Sequence, residues 1–340
     1  MQKHLKYYVG IDVSKQWFDV ALMAAIDHQK QPMQCGRFDN TLQGIKAFNK
    51  WLNKQKELSG NNCLVLIENT GVYHRLIWEY CSKHALPLYI GNAADLKWSM
   101  GIVRDKNDQA DSCRLCEYAF RHADELQAAP PLDPALLVLK DLVTSRSRLL
   151  SQINSIKVYL GEVNNFNSKE IQKMMEESHK AALKGLQQSL QAIEKEIAGR
   201  IKENEAIRTN CELLQSIPGI GRLTAIYLVC CTANFSGLRT GKQLACYAGV
   251  VPFSQSSGKS IKGKPRVHKM ANKELKRMLH MCAMSAIRRY PEFREYYERK
   301  TAQGKHPLSV LNAIKNKLAL RVIAVTRNQA PYVDNYKKAA

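Results

Sequence analysis

Short apolar runs separated by helical spacing dominate the first third of the chain. Tyr7–Ile11 and Trp17–Met23 flank Val13-Ser14-Lys15-Gln16 and predict a hairpin, while Cys63–Glu68 and Leu86–Ile90 predict two further strands. Leu42–Gln55 and Val72–His84 carry the spacing of amphipathic helices, so residues 5–125 predict a mixed α/β layer. Pro130-Pro131 and Pro134 then punctuate the chain. Beyond them Leu149, Ile153, Ile156 and Leu160 step by four, three and four. After a polar break at Asn164–Asn167, Leu183, Leu186, Leu190, Ile193 and Ile197 continue the stepping. Such an a/d seam predicts an antiparallel helical hairpin or a dimer contact, and two ordinary bundle helices fit it as well. From about residue 206 the pattern is helical again, interrupted by one basic, serine-rich loop. Three domains are expected: 1–130, 131–205 and 206–340.

Composition changes this picture in one respect. The 340 residues include 51 Lys plus Arg against 30 Asp plus Glu, a formal charge of +21. An excess of that size attracts polyanions and releases counterions when it binds them, so a nucleic-acid partner is expected. No segment offers the roughly 20 apolar residues needed to span a bilayer. The N-terminal Met-Gln-Lys-His-Leu-Lys runs straight into a strand without a signal-peptide core, so a cytoplasmic address is expected and no membrane partner. The ten cysteines are scattered through apolar stretches and are read as reduced, structural thiols; Cys113 and Cys116 form the one C-x-x-C.

Candidate chemistry begins with acids at element ends. Asp12 ends the first strand, Glu68 ends the third, and Asp108 and Asp111 stand three apart at a helix start, able to point the same way. Oxygen ligands gathered this way suit hard divalent cations, which keep open positions for substrate phosphates. Each acid also has a plainer use: Asp12 in a turn, Glu68 or Asp108 as a helix cap, Asp111 in a favourable first turn. Asp105-x-x-Asp108 shares the spacing of Asp108-x-x-Asp111, so the pattern alone leaves the register open. Asp19, on the second strand, is expected to be solvent-exposed.

Two further segments carry phosphate-binding potential. Leu213–Ser216, Ile217-Pro218-Gly219-Ile220-Gly221 and Leu223–Val229 predict a helix-hairpin-helix, in which Gly219 and Gly221 let backbone N–H groups approach a phosphate; a plain inter-helix turn is the alternative. Residues 253–266 place four serines among Lys259, Lys262, Lys264 and Arg266, a flexible loop suited to backbone phosphates. A serine there would act as a nucleophile only if activated, and His268 is a weak candidate base.

Six motifs occur in order: Gly10-Ile11-Asp12-x-x-Lys15, Ile67-Glu68-x-Thr70-Gly71-x-Tyr73, Lys106-x-Asp108-x-x-Asp111-x-x-x-Leu115, Ile217-Pro218-Gly219-Ile220-Gly221, Ala248-Gly249-x-x-Pro252 and Ser257-Gly258-x-Ser260-Ile261-x-Gly263. Over nearly its whole length the chain thereby resembles transposases of the insertion-sequence-110 family, which include the Piv-type DNA invertases. The resemblance implies an α/β ribonuclease-H-like (RuvC-like) N-terminal domain, a coiled-coil connector and a mainly α C-terminal domain with the helix-hairpin-helix. It implies that Asp12, Glu68, Asp108 and Asp111 are the DEDD metal ligands, holding two Mg²⁺ ions with Mn²⁺ as a substitute. It also implies that Ser257 is the nucleophile, with Ser256 the nearest alternative register. The implied partners are donor and target DNA, a structured guide RNA and further copies of the chain in a dimer or tetramer.

The expected activity is therefore that of a transposase or site-specific recombinase working through a phosphoserine–DNA intermediate. A RuvC-like hydrolytic nuclease or junction resolvase is the alternative enzyme, and an architectural nucleic-acid-binding protein the non-enzymatic one. Since the acids and Ser257 fall in different predicted domains, a site completed by a neighbouring subunit is a further expectation.

Overall fold

The computed structural model describes residues 5–99, 108–238, 240–257, 261–268 and 270–334; for 108, 254–257 and 261–265 it describes the backbone and not the side chains. The chain divides into two compact units, Met1–Leu132 and Asp133–Ala340.

The first unit is built on one sheet. Strands β1 (Leu5–Val13) and β2 (Trp17–Ile26) form the predicted antiparallel hairpin. β2 also pairs with the two-residue β3 (Gln29–Lys30) and with β4 (Gln34–Asp39). On the other side β1 pairs in parallel with β5 (Cys63–Glu68), and β5 in parallel with β6 (Leu88–Gly91). The order is β3-β2-β1-β5-β6, with β4 attached to β2. The two central strands are apolar on both faces because both are covered. Helices α1 (Leu42–Leu52) and α2 (Arg75–Lys83) supply Phe48, Leu52, Ile77 and Tyr80 to a core with Ile11, Phe18 and Ile67. On the opposite face α3 (Ala93–Ser99) supplies Leu96, and α4 (Asp108–Arg121) supplies Leu115, Cys116 and Ala119, packing on Tyr8, Ala21 and Leu66. Phe18, Phe38, Phe48 and Trp51 interlock with ring centroids 5.6–6.3 Å apart, which fixes α1 against the β2–β4 edge.

One strand escaped the sequence pattern, and one expectation needs correction. β4 breaks the apolar alternation that marks a strand: Gln34, Gly36, Arg37 and Asp39 are polar or small, and the segment is held as an edge by its ladder to β2. Asp19 is not exposed but 4% accessible, and Arg37 on β4 grips both its carboxylate oxygens at 3.0 and 2.9 Å. A buried acid is tolerated when a bidentate guanidinium neutralises it, and no periodicity in β2 announces that partner.

The second unit begins with α5 (Pro134–Phe166) and α6 (Lys169–Glu203), joined by Asn167 and Ser168. The pairs Arg146–Glu194, Tyr159–His179 and Asn164–Glu176 run in opposite order along the two helices, so the seam closes as an antiparallel hairpin. Asp133 caps α5 ahead of Pro134, and Ser168 caps α6, which accounts for both starts. Helices α7 (Glu205–Gln215), α9 (Gly241–Tyr247), α10 (Lys273–Arg289) and α11 (Pro291–Ala302) pack on α12 (Pro307–Asn328), and α8 (Arg222–Cys231) packs on α7 and α10. α12 buries Ile314, Leu318 and Val322 completely. Between α9 and α10 the serine-rich segment is a two-stranded sheet rather than a loop: β7 (Pro252–Ser257) pairs antiparallel with β8 (Ile261–Val267). Pairing satisfies its backbone groups internally, a possibility that the run of polar residues obscures. Among the described residues no helix is long and apolar enough to cross a membrane.

Candidate active site

Parallel pairing of β1 with β5 sets Ile11 beside Ile67, so Asp12 and Glu68 follow side by side at the strand ends. The isoleucines face α1 and α2, whereas Tyr8 and Leu66 face α4; alternation therefore turns Asp12 and Glu68 toward α4. Gly10 lies on that same face, two residues before Asp12. A Cβ placed on it would stand 2.2 Å from the Cys116 backbone nitrogen and 2.3 Å from the Ser112 carbonyl oxygen. The backbone of α4 thus rests directly on β1, which is possible only at a glycine. That contact brings the first turns of α4, with Asp108 and Asp111, over the ends of β1 and β5.

Electrostatics agree with this placement. The Glu68 carboxyl is held above the ordinary carboxylate range, first by burial and then by the Asp111 carboxylate. A carboxylate disfavoured by a neighbouring carboxylate is what a cation would relieve, and an all-oxygen set suits a hard divalent ion. Asp111 is paired with the Arg114 guanidinium one turn along α4. Among the described residues no three His, Cys, Asp or Glu side chains are gathered as a metal cluster. The Asp108 side chain lies outside the described residues, as does Asp105, so the geometry here is that of Asp12, Glu68 and Asp111.

The row continues sideways. Asp12 stands opposite Asp19 on β2, and Asp19 opposite Arg37 on β4. Acids directly across a ladder repel, so Arg37 keeps Asp19 from loading further negative charge beside Asp12. The rim is tied by Asn40, whose Nδ2 donates to the carbonyls of Ser14 and Tyr73, both at 2.9 Å, joining the β1–β2 turn to the loop after β5. Buried His74 accepts from the Thr70 N–H at 3.2 Å and fixes the same loop. Among the described residues Asn40 Oδ1 and Thr70 Oγ1, both buried, have no hydrogen-bond partner. Arg37, Asn40, His74 and Arg114 are the functional neighbours that sequence reasoning missed. For Arg114 the signal was its position one turn after Asp111; Asn40 had none.

In the second unit the glycine hairpin spans residues 216–221 between α7 and α8. Gly219 has φ +87, and a Cβ there would meet the Cys282 carbonyl oxygen at 2.6 Å, so its role is close packing on α10. Gly221 caps α8 with open space around it and is the glycine that offers helix N–H groups to solvent. Ser257 ends β7 opposite Ile261, and Ser256 is opposite Lys262. The side chains of Ser257, Lys262 and Lys264, and Lys259 entirely, lie outside the described residues, while Arg266 is exposed on β8.

Comparison with known proteins bears on both units. Residues 9–163 match the family model of the DEDD transposases of the IS110 group, and residues 211–298 match the model described as transposase IS116/IS110/IS902 family. The chain is similar to the pilin gene-inverting protein of Moraxella bovis, 26% identical over 341 residues covering 96% of this chain and 98% of that protein. It is 33% identical over 109 residues to the insertion element IS110 uncharacterized 43.6 kDa protein of Streptomyces coelicolor, covering 32% of this chain and 27% of that protein. It is also 25% identical over 180 residues to the transposase for insertion sequence element IS1111A of Coxiella burnetii, covering 46% and 48% respectively. The DEDD match implies a ribonuclease-H-like first unit and the use of a divalent metal. Two matched models in chain order and an alignment spanning nearly the full length leave one conclusion: the chain belongs to the IS110/IS116/IS902 family of transposases, enzymes that cleave and rejoin DNA.

Proposed function

We propose that the protein is an insertion-sequence recombinase that exchanges DNA strands through a Ser257–DNA phosphoester, with Asp12, Glu68, Asp108 and Asp111 holding two Mg²⁺ ions. The observation that carries the metal half is the adjacency of Asp12 and Glu68 beneath α4, with Asp111 close enough to raise Glu68. When bound, the cations neutralise and orient the scissile phosphate. Asp19 and Arg37 keep the flanking charge balanced, and Asn40 and His74 hold the rim loops in register. The Ser257 half is supported by the resemblance of residues 257–263 to the family's serine motif, inside the matched residues 211–298, and by its place at the end of β7. Its Oγ forms a bond to phosphorus as the bond to the leaving sugar oxygen breaks; the sugar oxygen takes up a proton as the serine gives one up. The freed hydroxyl of another strand then attacks the phosphoserine and restores the enzyme, so no phosphodiester is lost to water.

Residues 1–130 serve as the metal domain, 131–205 as the connector and 206–340 as the strand-exchange domain. Exposed Val158, Phe166 and Met174 near the turn of the α5–α6 hairpin support self-association into a dimer or tetramer. The charge of +21 supports a structured guide RNA as a second polyanion beside the two DNA duplexes, and cytoplasmic action follows from these partners.

The products of the reaction test this function. Protein purified with its bound RNA, given Mg²⁺ and DNA carrying the sequences that flank its own gene, is expected to yield rejoined strands. Asp12→Asn and Ser257→Ala are each expected to abolish them. Free 5′-phosphate ends produced equally by Ser257→Ala protein would show a hydrolytic nuclease instead.

A further inference from the structure

A cavity of about 720 Å³ opens in the second unit at the foot of the β7–β8 hairpin, between α10 and α12. Its lining includes Arg266, Lys276, His280 and Lys315, and among the described residues no Asp or Glu. Lys315 lies on α12 with only 7% of its surface accessible. Neither it nor Lys276 has a hydrogen-bonding or ion-pairing partner among the described residues. Burial pushes the Lys315 ammonium down from its ordinary pKa, and the Lys276 ammonium pushes the same way. A buried cation beside another cation is unfavourable in the isolated protein, so the arrangement makes sense when an anion enters.

The walls are built for that entry. The motif Ala248-Gly249-x-x-Pro252 had no role in the catalytic account, and it forms one side. Gly249 takes φ +63, and a Cβ there would meet the Ala271 Cβ at 2.3 Å, with Lys276 Nζ 3.8 Å away. A side chain at 249 would therefore disturb the turn and crowd the ammonium. Asn312 Nδ2 donates to the Val250 carbonyl at 2.7 Å and clamps the turn to α12, one helical turn from Lys315. Asn316 adds an uncharged polar edge to the lining.

We propose that this cavity seats a backbone phosphate of the DNA strand, held by Lys315 and Lys276 and flanked by His280 and Arg266. Ser257 follows Pro252 at the cavity by five residue steps, roughly 17 Å of extended strand. The anchored phosphate thus belongs to the same strand as the scissile one, several nucleotides away. That assignment of the strand rests on Ser257 being the nucleophile; anion binding in the cavity does not. A double-stranded DNA is favoured over RNA because the cavity shares its hairpin with the proposed DNA-attacking serine.

The test is the affinity of the whole protein for a fluorescein-labelled mixed-sequence DNA duplex over a range of salt concentrations. Lys315→Gln and Lys276→Gln are each expected to weaken binding about tenfold. Each should also flatten the slope of log affinity against log salt by roughly one unit. Lys184→Gln, on α6, is expected to leave both unchanged; affinity is read without strand exchange, which separates this inference from the catalytic one. Lys315→Gln should fold with undiminished thermal stability, and inorganic phosphate should raise the melting temperature of wild type more than that of the variant. Should Lys315→Gln fail to fold, Lys276→Gln carries the same readout. Unchanged affinity and slope in the folded variants would overturn the proposal. A loss confined to a single-stranded RNA probe, with DNA binding intact, would overturn its assignment to DNA.

Discussion

Replacing Gly10 with alanine is expected to destabilise the first unit by about 3 kcal/mol or more and to remove strand transfer altogether. The added methyl group would stand 2.2 Å from the Cys116 nitrogen and 2.3 Å from the Ser112 carbonyl oxygen, both backbone atoms of α4. Backbone cannot swing aside as a flexible side chain can, so the helix must lift from β1. Lifting it uncovers Leu115, Cys116 and Ala119, which are buried against Tyr8 and Leu66. It also carries Asp108 and Asp111 away from Asp12 and Glu68, so folding and chemistry fail together. Thermal unfolding of the whole chain measures the first effect, and a fall of roughly 10 °C in the first transition is expected. Gly161→Ala and Gly185→Ala give the contrast. Both glycines are helical with nothing within 4 Å of an added Cβ. Alanine there is expected to raise stability by about 0.5–1 kcal/mol. A Gly10→Ala protein as stable as wild type would mean that α4 does not rest on β1 in this way.

Glu68→Gln is expected to act in the opposite manner, removing activity while sparing the fold. On the proposed metal site, loss of one ligand forfeits several kcal/mol of transition-state stabilisation, so strand transfer should fall by about a thousandfold or more. Without metal, the wild-type carboxylate is disfavoured by burial and by Asp111. A carboxyl whose pKa is raised by folding contributes stability that is present below the ordinary carboxylate range and lost as pH rises through the raised value. The glutamine variant lacks that loss. Its metal-free melting temperature at neutral pH is therefore expected to equal or exceed that of wild type, with the advantage fading in acid. Melting curves with and without Mg²⁺ check this: wild type should gain from the ion and Glu68→Gln should gain little. A variant that melts well below wild type without metal would assign Glu68 a structural role.

The two halves of the molecule differ in how much their residues disclosed. Asp12 and Glu68 were legible because each ends an apolar run, and a parallel pair of such strands puts their last residues together. The a/d stepping through Leu149–Leu160 and Leu183–Ile197 allowed an antiparallel hairpin, a dimer contact or two bundle helices alike, and the pairing of α5 with α6 selects the first. Asp19 was misread because burial depends on Arg37, a residue of a strand that the apolar pattern does not mark. The β7–β8 hairpin was hidden for a related reason: its stability comes from backbone pairing, while its sequence is serine, lysine and glycine. Gly10 stood in the first motif, but the close approach of α4 that requires it shows only in the packing. The basic cavity could not be foreseen at all, because Lys276 and Lys315 meet only through the packing of α10 on α12.

In the proposed function Ser257 separates a recombinase from a nuclease built on the same carboxylates, and trapping the proposed intermediate is the most direct measurement. Protein with its bound RNA, Mg²⁺ and end-labelled DNA from the flanks of its gene, nicked so that the leaving strand diffuses away, is quenched in detergent and run on a denaturing gel. A protein-linked DNA band is predicted, sensitive to protease, present with Ser256→Ala and absent with Ser257→Ala. Cleavage without any protein-linked band, or a band that survives in Ser257→Ala, would contradict the account.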